Sequence, residues 1–305
     1  ITGTVMDANG AVVPNANITI INKQTGLKLT TQTTDTGKYN FPNVLVGDYA
    51  LTVEATSFAK AYRDIKVILN QTSTVDLSLQ TGGVVASVQV NGNGEPLVQT
   101  ETSQLGQTFE SRQVTDLPIF GNQNQLAVLS PNVVERSAGV VGSGGTVGGA
   151  RPRGNVFTVD GVDNNDSQVT APINNVNQDS IQEFTLLTNN YNAEFGGGTG
   201  GQFNTVTKSG TNRFSGSLFY YGQRDRFNAP TSQTIDALRS GSITEKPRFA
   251  DDRYGFTFGG PIIKNKLFFF TAFERQQTRS AGSTYSFVAP TAEGINRIAA
   301  LPGAS

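Results

Sequence analysis

Short runs of strand-forming residues, each closed by a turn rich in Gly, Asn or Asp, recur at near-regular intervals through the first 80 residues of this chain. The runs are Gly3 to Met6, Ile18 to Asn22, Lys28 to Thr33, Tyr39 to Phe41, Tyr49 to Ala55, Tyr62 to Leu69 and Thr74 to Leu79. A series of this kind reads as a sandwich of two sheets. Between the runs, Asp7-Ala8-Asn9-Gly10 and Asp35-Thr36-Gly37 offer Asx-type turns in which glycine reaches positive φ without a Cβ clash. Tyr49, Leu51 and Val53 alternate with Thr52 and Glu54, the period-two burial of a strand that faces another sheet.

Composition carries the β reading further along the chain. Glycine is abundant at 34 residues, Trp is absent and hydrophobic residues make up only 36%, which describes short strands joined by many turns. No run of about 18 apolar residues could cross a bilayer as a helix. A spanning part would therefore have to be a closed barrel, the other structure that satisfies its backbone in lipid. A net charge of −1 without clustered Lys or Arg argues against a nucleic-acid groove or an anionic-lipid patch. The chain has no Cys and no His, which removes disulfides, thiolate and imidazole metal sites, and the Ser-His-Asp and Cys-His nucleophile systems. Only carboxylates remain for catalysis, and no pair is designated for a two-acid glycosidase. Neither enzymatic activity nor a cofactor is expected. The start at Ile1, with no secretory leader, reads as a processed or trimmed product.

Gly82-Gly83 and Asn91-Gly92-Asn93-Gly94 bracket the apolar run from Val84 to Val90, and such flanks mark a boundary. An extended segment between hinges suits strand addition to a partner's sheet edge. Ala86, Ser87, Val88, Gln89 and Val90 are the candidate partner-binding residues; the same run also reads as an ordinary strand of the next domain.

Further on, Arg153-Gly154 leads an apolar strand that ends at Asp160-Gly161, and Asp179 to Asn189 forms a second strand-length segment. A loop from Tyr191 to Gly201 follows, rich in glycine, and then a segment from Gln202 to Asn212. The glycines let backbone pass close to a wall that side chains would obstruct; a phosphate cradle is the rival reading, and it lacks a following Lys-Ser or Lys-Thr. Arg153 suits a bidentate ion pair with such a wall, or a solvated surface position. Asp160, Asp163 and Asp166, with Asn164 and Asn165, are oxygen-rich enough for a weak cation site but lack EF-hand spacing, so a turn is the competing reading. Upstream, Pro131 should end a short helix over 125 to 129, and the Gly, Val and Ser stretch from Ser137 to Gly149 is expected to be mobile.

The aromatic content then rises. Phe214 to Tyr221, Tyr254 to Gly259 and Leu267 to Glu274 are strand-length, and Tyr254, Phe256 and Phe258 alternate with Gly255, Thr257 and Gly259. That dyad fits an outer-membrane strand, and a soluble sheet as well. Gly259 to Phe270 reads as strand, tight turn, strand, while Arg224 to Asp251, with Pro230 and Pro247, reads as a long external loop. The 94 residues after residue 211 supply about four spanning strands. That is half of the smallest known membrane barrels.

Gly3-Thr4-Val5, Asp35 to Phe41 and Gly47-Asp48-Tyr49 resemble the carboxypeptidase regulatory-like domain, which is non-catalytic. The motifs from Arg153 to Asn212 resemble, in order, the plug of a TonB-dependent outer-membrane transporter, and Thr188-Asn189 and the Gly259 to Phe270 hairpin resemble its Oar-like branch. The resemblance implies a mainly β chain: a transthyretin/Ig-like β-sandwich, a mixed α+β plug domain and the first strands of an antiparallel β-barrel. It divides the chain into a sandwich at 1–80, a linker at 81–95 with a TonB-box-like segment, a plug at 96–211 and an incomplete barrel at 212–305. It implies a TonB-like periplasmic energy-coupling protein, outer-membrane lipid around the full barrel and an unknown bulky ligand as partners. The protein would lie in the bacterial outer membrane with its N-terminal domain in the periplasm, and Arg153, Gly154, Gly196, Gly197, Gly200 and Gly201 would lie at the plug–barrel interface. The alternative is an extracellular structural or adhesive β-subunit that self-associates through exposed edge strands.

Overall fold

The computed structural model describes residues 1–82, 103–117, 123–135, 141–168 and 170–280. The chain divides into two compact units, residues 1–218 with 255–274, and residues 219–254 with those from 275 onward.

The first unit begins with seven strands: β1 (Thr2–Asp7), β2 (Asn17–Asn22), β3 (Lys28–Gln32), β4 (Lys38–Asn40), β5 (Gly47–Glu54), β6 (Ala61–Val67) and β7 (Leu77–Leu79). They form two sheets, β4-β1-β7 and β3-β2-β5-β6. Val5, Ile18, Ile20, Tyr49, Leu51 and Val53 are buried between them, as the alternation in β5 requires. Tyr39 is buried too, and its hydroxyl donates to Val75 O at 2.7 Å. Burial pushes that phenol well above its usual range, so it remains a donor. The turn after β2 is built by Asn22, whose side-chain oxygen accepts from Gln24 N and Thr25 N, each at 2.9 Å.

The plug follows. β8 (Leu105–Glu110) runs directly into α1 (Ser111–Asp116), where the Gln113 side chain accepts from Glu110 N at 3.0 Å and caps the helix. The helix expected over 125 to 129 is a 3-10 helix, Gln123–Leu129, which stops at Ser130-Pro131. Next come β9 (Val133–Val134), β10 (Thr146–Val147), β11 (Val156–Val159), β12 (Val162–Asp163), β13 (Ile181–Asn189) and β14 (Gln202–Thr207). Four of these join β8 in one sheet, in the order β12-β11-β14-β13-β8. Only the β11–β14 pairing in it is parallel; β13 runs antiparallel to both β14 and β8. Phe157, Phe203, Phe184 and Phe109 form a continuous file of rings across the sheet, with centroids 4.7, 6.2 and 6.0 Å apart. The mobility expected for Ser137 to Gly149 fails where the residues are described. Val147 is fully buried, Gly148 N donates to Asn132 O at 2.9 Å, and β9 pairs with β10. The glycines there permit close packing rather than free motion.

β15 (Ser215–Arg224), β16 (Phe249–Ile263) and β17 (Leu267–Ser280) form a three-stranded sheet in that order. Lys264-Asn265-Lys266 makes the tight turn between β16 and β17, with Asn265 at φ 61°. Along β16, Asp251, Arg253, Thr257 and Gly259 are buried, whereas Tyr254, Phe256 and Phe258 are about two-fifths exposed. Phe256 stacks on Phe273 of β17 on the aromatic face, and Ser217 of β15 meets Thr257 at 2.8 Å on the polar face. The long loop expected between β15 and β16 contains a helix, α2 (Ser232–Arg239), begun by Thr231, whose hydroxyl accepts from Thr234 N at 3.2 Å. In the second unit Asp251 accepts from Gln276 Nε2 at 3.0 Å and from the Thr278 hydroxyl at 2.5 Å, while Asp252 holds Arg224 at 2.6 Å. Among the described residues no helix is long and apolar enough to cross a membrane, which leaves strand spans open.

Candidate functional site

Of the motif residues, Asn155 holds the centre of the plug. The Arg153-Gly154 pair lies in a 3-10 turn, Pro152–Gly154, that delivers Asn155 to the head of β11 with no solvent exposure. Its side-chain amide donates to Ser143 O at 2.8 Å and Gly145 O at 2.9 Å, and its oxygen accepts from Gly201 N at 2.9 Å. One side chain therefore ties the 141–149 segment, the Arg-Gly turn and the glycine loop together. Buried polar groups need such partners, and Asn155 fills most of its capacity. Sequence reasoning gave Asn155 no role; a polar residue directly after Gly154 at the head of an apolar strand was the available signal.

The glycines separate into two sets. Gly154 packs 2.5 Å (as an added Cβ) from the Thr199 hydroxyl, Gly200 would meet Asn155 N at 3.0 Å, and Gly201 would meet Leu186 and Val147 at 2.9 to 3.0 Å. Gly154 and Gly200 pack against each other's turns, and Gly201 packs against strands β13 and β10. Gly196 and Gly197 have no described neighbour within 4 Å of that position. Tyr191 closes the loop by donating from its hydroxyl to Gly200 O at 2.9 Å.

Arg153 is exposed and donates from Nη2 to Gln168 O at 2.6 Å. Asp163 and Asp166 are spent on local turns, whereas Asp160 reaches across to the end of β14. Asp160 accepts from Thr207 N at 2.8 Å and from its hydroxyl at 2.7 Å, Asp163 accepts from Asn165 N at 3.1 Å, and Asp166 accepts from Gln168 N at 2.7 Å. Among the described residues no group of three His, Cys, Asp or Glu could hold a metal ion. Asp163 and Asp166 make the turn contacts of the competing reading. The segment from Ala86 to Val90 lies outside the described residues.

Another electrostatic feature was not anticipated from sequence. Glu110 of β8 and Glu183 of β13 are register partners, so two carboxylates stand opposite each other. Glu183 is buried and accepts from Leu69 N, just after β6, at 2.8 Å, with the Thr185 hydroxyl 3.4 Å away. Lys66 of β6 pairs with Glu110. Burial lifts the Glu183 carboxyl above its usual range and Glu110 adds to the rise, while the Leu69 amide, the Thr185 hydroxyl and Lys66 oppose it. Lys208, at the end of β14, donates to Asp179 O at 2.8 Å, and burial lowers its pKa.

With this geometry in place, the relatives fall into line. Residues 1–80 match the carboxypeptidase regulatory-like domain, and residues 206–297 match the outer membrane beta barrel domain. The two matches define an outer-membrane β protein with a sandwich ahead of its barrel strands. The TonB-dependent transporter Oar of Myxococcus xanthus is 28% identical over 292 residues, which is 92% of this chain and 27% of the relative. The chain is thus similar to a TonB-dependent transporter over most of its own length, and its outer membrane beta barrel match gives the bacterial outer membrane as its place. It spans about a quarter (27%) of the length of that relative. Among solved structures, the outer membrane transporter YddB from Escherichia coli aligns with a TM-score of 0.47 at 18% identity, covering 57% of this chain and 26% of that chain. The ferric enterobactin receptor PfeA from Pseudomonas aeruginosa, a Q482A mutant, aligns with a TM-score of 0.42 at 16% identity, covering 57% of this chain and 24% of that chain.

Proposed function

We propose that residues 96–211 are a plug that gates a transport barrel for a bulky ligand, with the sandwich at 1–80 in the periplasm and the barrel beginning near residue 212. A periplasmic TonB-like protein would pair with the strand-like run Ala86 to Val90 and pull on the 81–95 linker, a use of edge pairing that transmits force through main-chain hydrogen bonds. Arg153, Gly154, Gly196, Gly197, Gly200 and Gly201 would face the barrel wall in the full-length protein. The role is transport rather than catalysis.

The observation that carries this reading is β14. Gln202, Asn204 and Thr205 are buried on a strand only seven residues from β15, which begins the aromatic-faced sheet. A strand with a polar interior gains less from burial than an apolar one, and mobile gating elements come from the low-stability end of a structure. A β14 of this kind, attached directly to a barrel strand, suits a stopper that must rearrange in place.

Deleting Val84 to Val90 in the full-length protein should abolish ligand uptake and leave heat-modifiable barrel mobility unchanged. Uptake at the normal rate in that deletion would remove the coupling assignment. The self-associating subunit predicts instead that purified protein polymerises through β17, an edge strand among the described residues.

A further inference from the structure

The plug sheet contains a like-charge pair that its own strands do not neutralise. Residues directly opposite in an antiparallel ladder have neighbouring side chains, and like charges there are destabilising. Glu110 and Glu183 occupy such positions on β8 and β13. The cation and the amide that meet them both come from the sandwich: Lys66 pairs with Glu110, and Leu69 N donates to Glu183 at 2.8 Å. A second contact lies at the β2–β3 turn. Gln24 O accepts from Asn212 N at 3.0 Å, and Asn212 in turn exchanges hydrogen bonds with Asn265 at 2.7 and 2.8 Å. Gly26 comes so close to the Asn265 side chain that a Cβ would collide with it. The turn that presents Gln24 and Gly26 is already fixed by Asn22, so little ordering is needed on docking.

We infer that the plug surface around Glu110 and Glu183 is an interaction surface whose partner is the chain's own sandwich, which acts as a clasp on the edge strand β8. The sandwich is then more than a spacer. Its Lys66 and Leu69 complete the electrostatics of the plug edge, and its β2–β3 turn grips the residues where the plug chain enters the barrel strands. β8 is the first described strand after the 81–95 linker, so the clasp sits beside the first described plug element that a pull on that linker would reach. The inference itself rests on contacts within the first unit and not on transport.

Hydrogen exchange of the β8 amides in the full-length protein, read without any uptake assay, tests it. Removing residues 1–80 should speed β8 exchange about fivefold, the size of a like-charge pair left uncompensated. Lys66→Glu should act in the same direction with the sandwich retained. Adding Glu110→Gln to the deletion should return most of the protection, because the opposing charge is gone while the strand is intact. Unchanged β8 exchange in both the deletion and Lys66→Glu would overturn the clasp. So would a Glu110→Gln deletion protein that exchanges as fast as the deletion alone.

Discussion

Glu110 and Glu183 stand opposite each other across the β8–β13 ladder, the first exposed and the second buried beneath the amide of Leu69. This relationship fixes a pH dependence. Burial holds the folded Glu183 carboxyl above its ordinary value of 4.5, so the folded protein retains a proton that the unfolded chain has released. The resulting stabilisation is full below 4.5 and is lost as pH rises through the folded value. Stability of the plug should therefore increase on mild acidification within that window, and Glu183→Gln should flatten the dependence. Denaturant midpoints of the two proteins, measured across the window, would show it; identical slopes would refute it.

Asn155→Ala should destabilise the plug by about 3 kcal/mol, since it strands two buried backbone groups and a half-buried one at once. Asn155→Asp keeps the acceptor for Gly201 N and loses both donors, so no rescue is expected from it. Exchange of the Gly201 amide separates the two variants, with the Ala protein the less protected at that position.

The two sets of glycines should respond differently to a methyl group. Gly200→Ala places Cβ 3.0 Å from Asn155 N and nearer still to the Asn155 side chain, which forces the hub to move. A loss of about 1–3 kcal/mol follows from overpacking of this kind. Gly196→Ala meets no described atom within 4 Å and should fold normally. Thermal unfolding of both variants is the check, and equal stability would contradict the packing.

On the barrel strands, Phe256→Arg should reduce membrane insertion by about 2–4 kcal/mol if the residue lies near the bilayer midplane. Phe256 belongs to the aromatic face, where it stacks on Phe273. Ser217→Arg, on the opposite face with Thr257, should insert far better. Insertion assays on the full-length protein discriminate between the faces.

The strands were legible because period-two burial is written locally: Tyr49, Leu51 and Val53 are buried as their spacing requires, and Tyr254, Phe256 and Phe258 share the exposed face. The two helices were missed for different reasons. α2 carried its signal in Thr231 and a terminal Arg239, but the flanking Pro230 and Pro247 drew the reading towards a loop. α1 is six residues long and depends on Glu110 and Gln113 as a capping pair, too short for a period of 3.6 to register. At the candidate site, the order of motifs pointed to Arg153, Gly154 and the glycine loop. The role of Asn155 and the Glu110–Glu183 pairing were hidden because both depend on contacts between residues tens of positions apart, such as Asn155 with Gly201 and Glu183 with Leu69. Sequence spacing carries no register across such distances.

The shortness of the link between β14 and β15 sets a leash on the plug. Seven residues separate Thr207 from Ser215, and a fully stretched chain advances no more than about 3.6 Å per residue, so the end of β14 can travel roughly 29 Å from the first barrel strand. In the proposed gating, however far the front of the plug were drawn out, its last strand would stay on this short cord and a passage would open beside it.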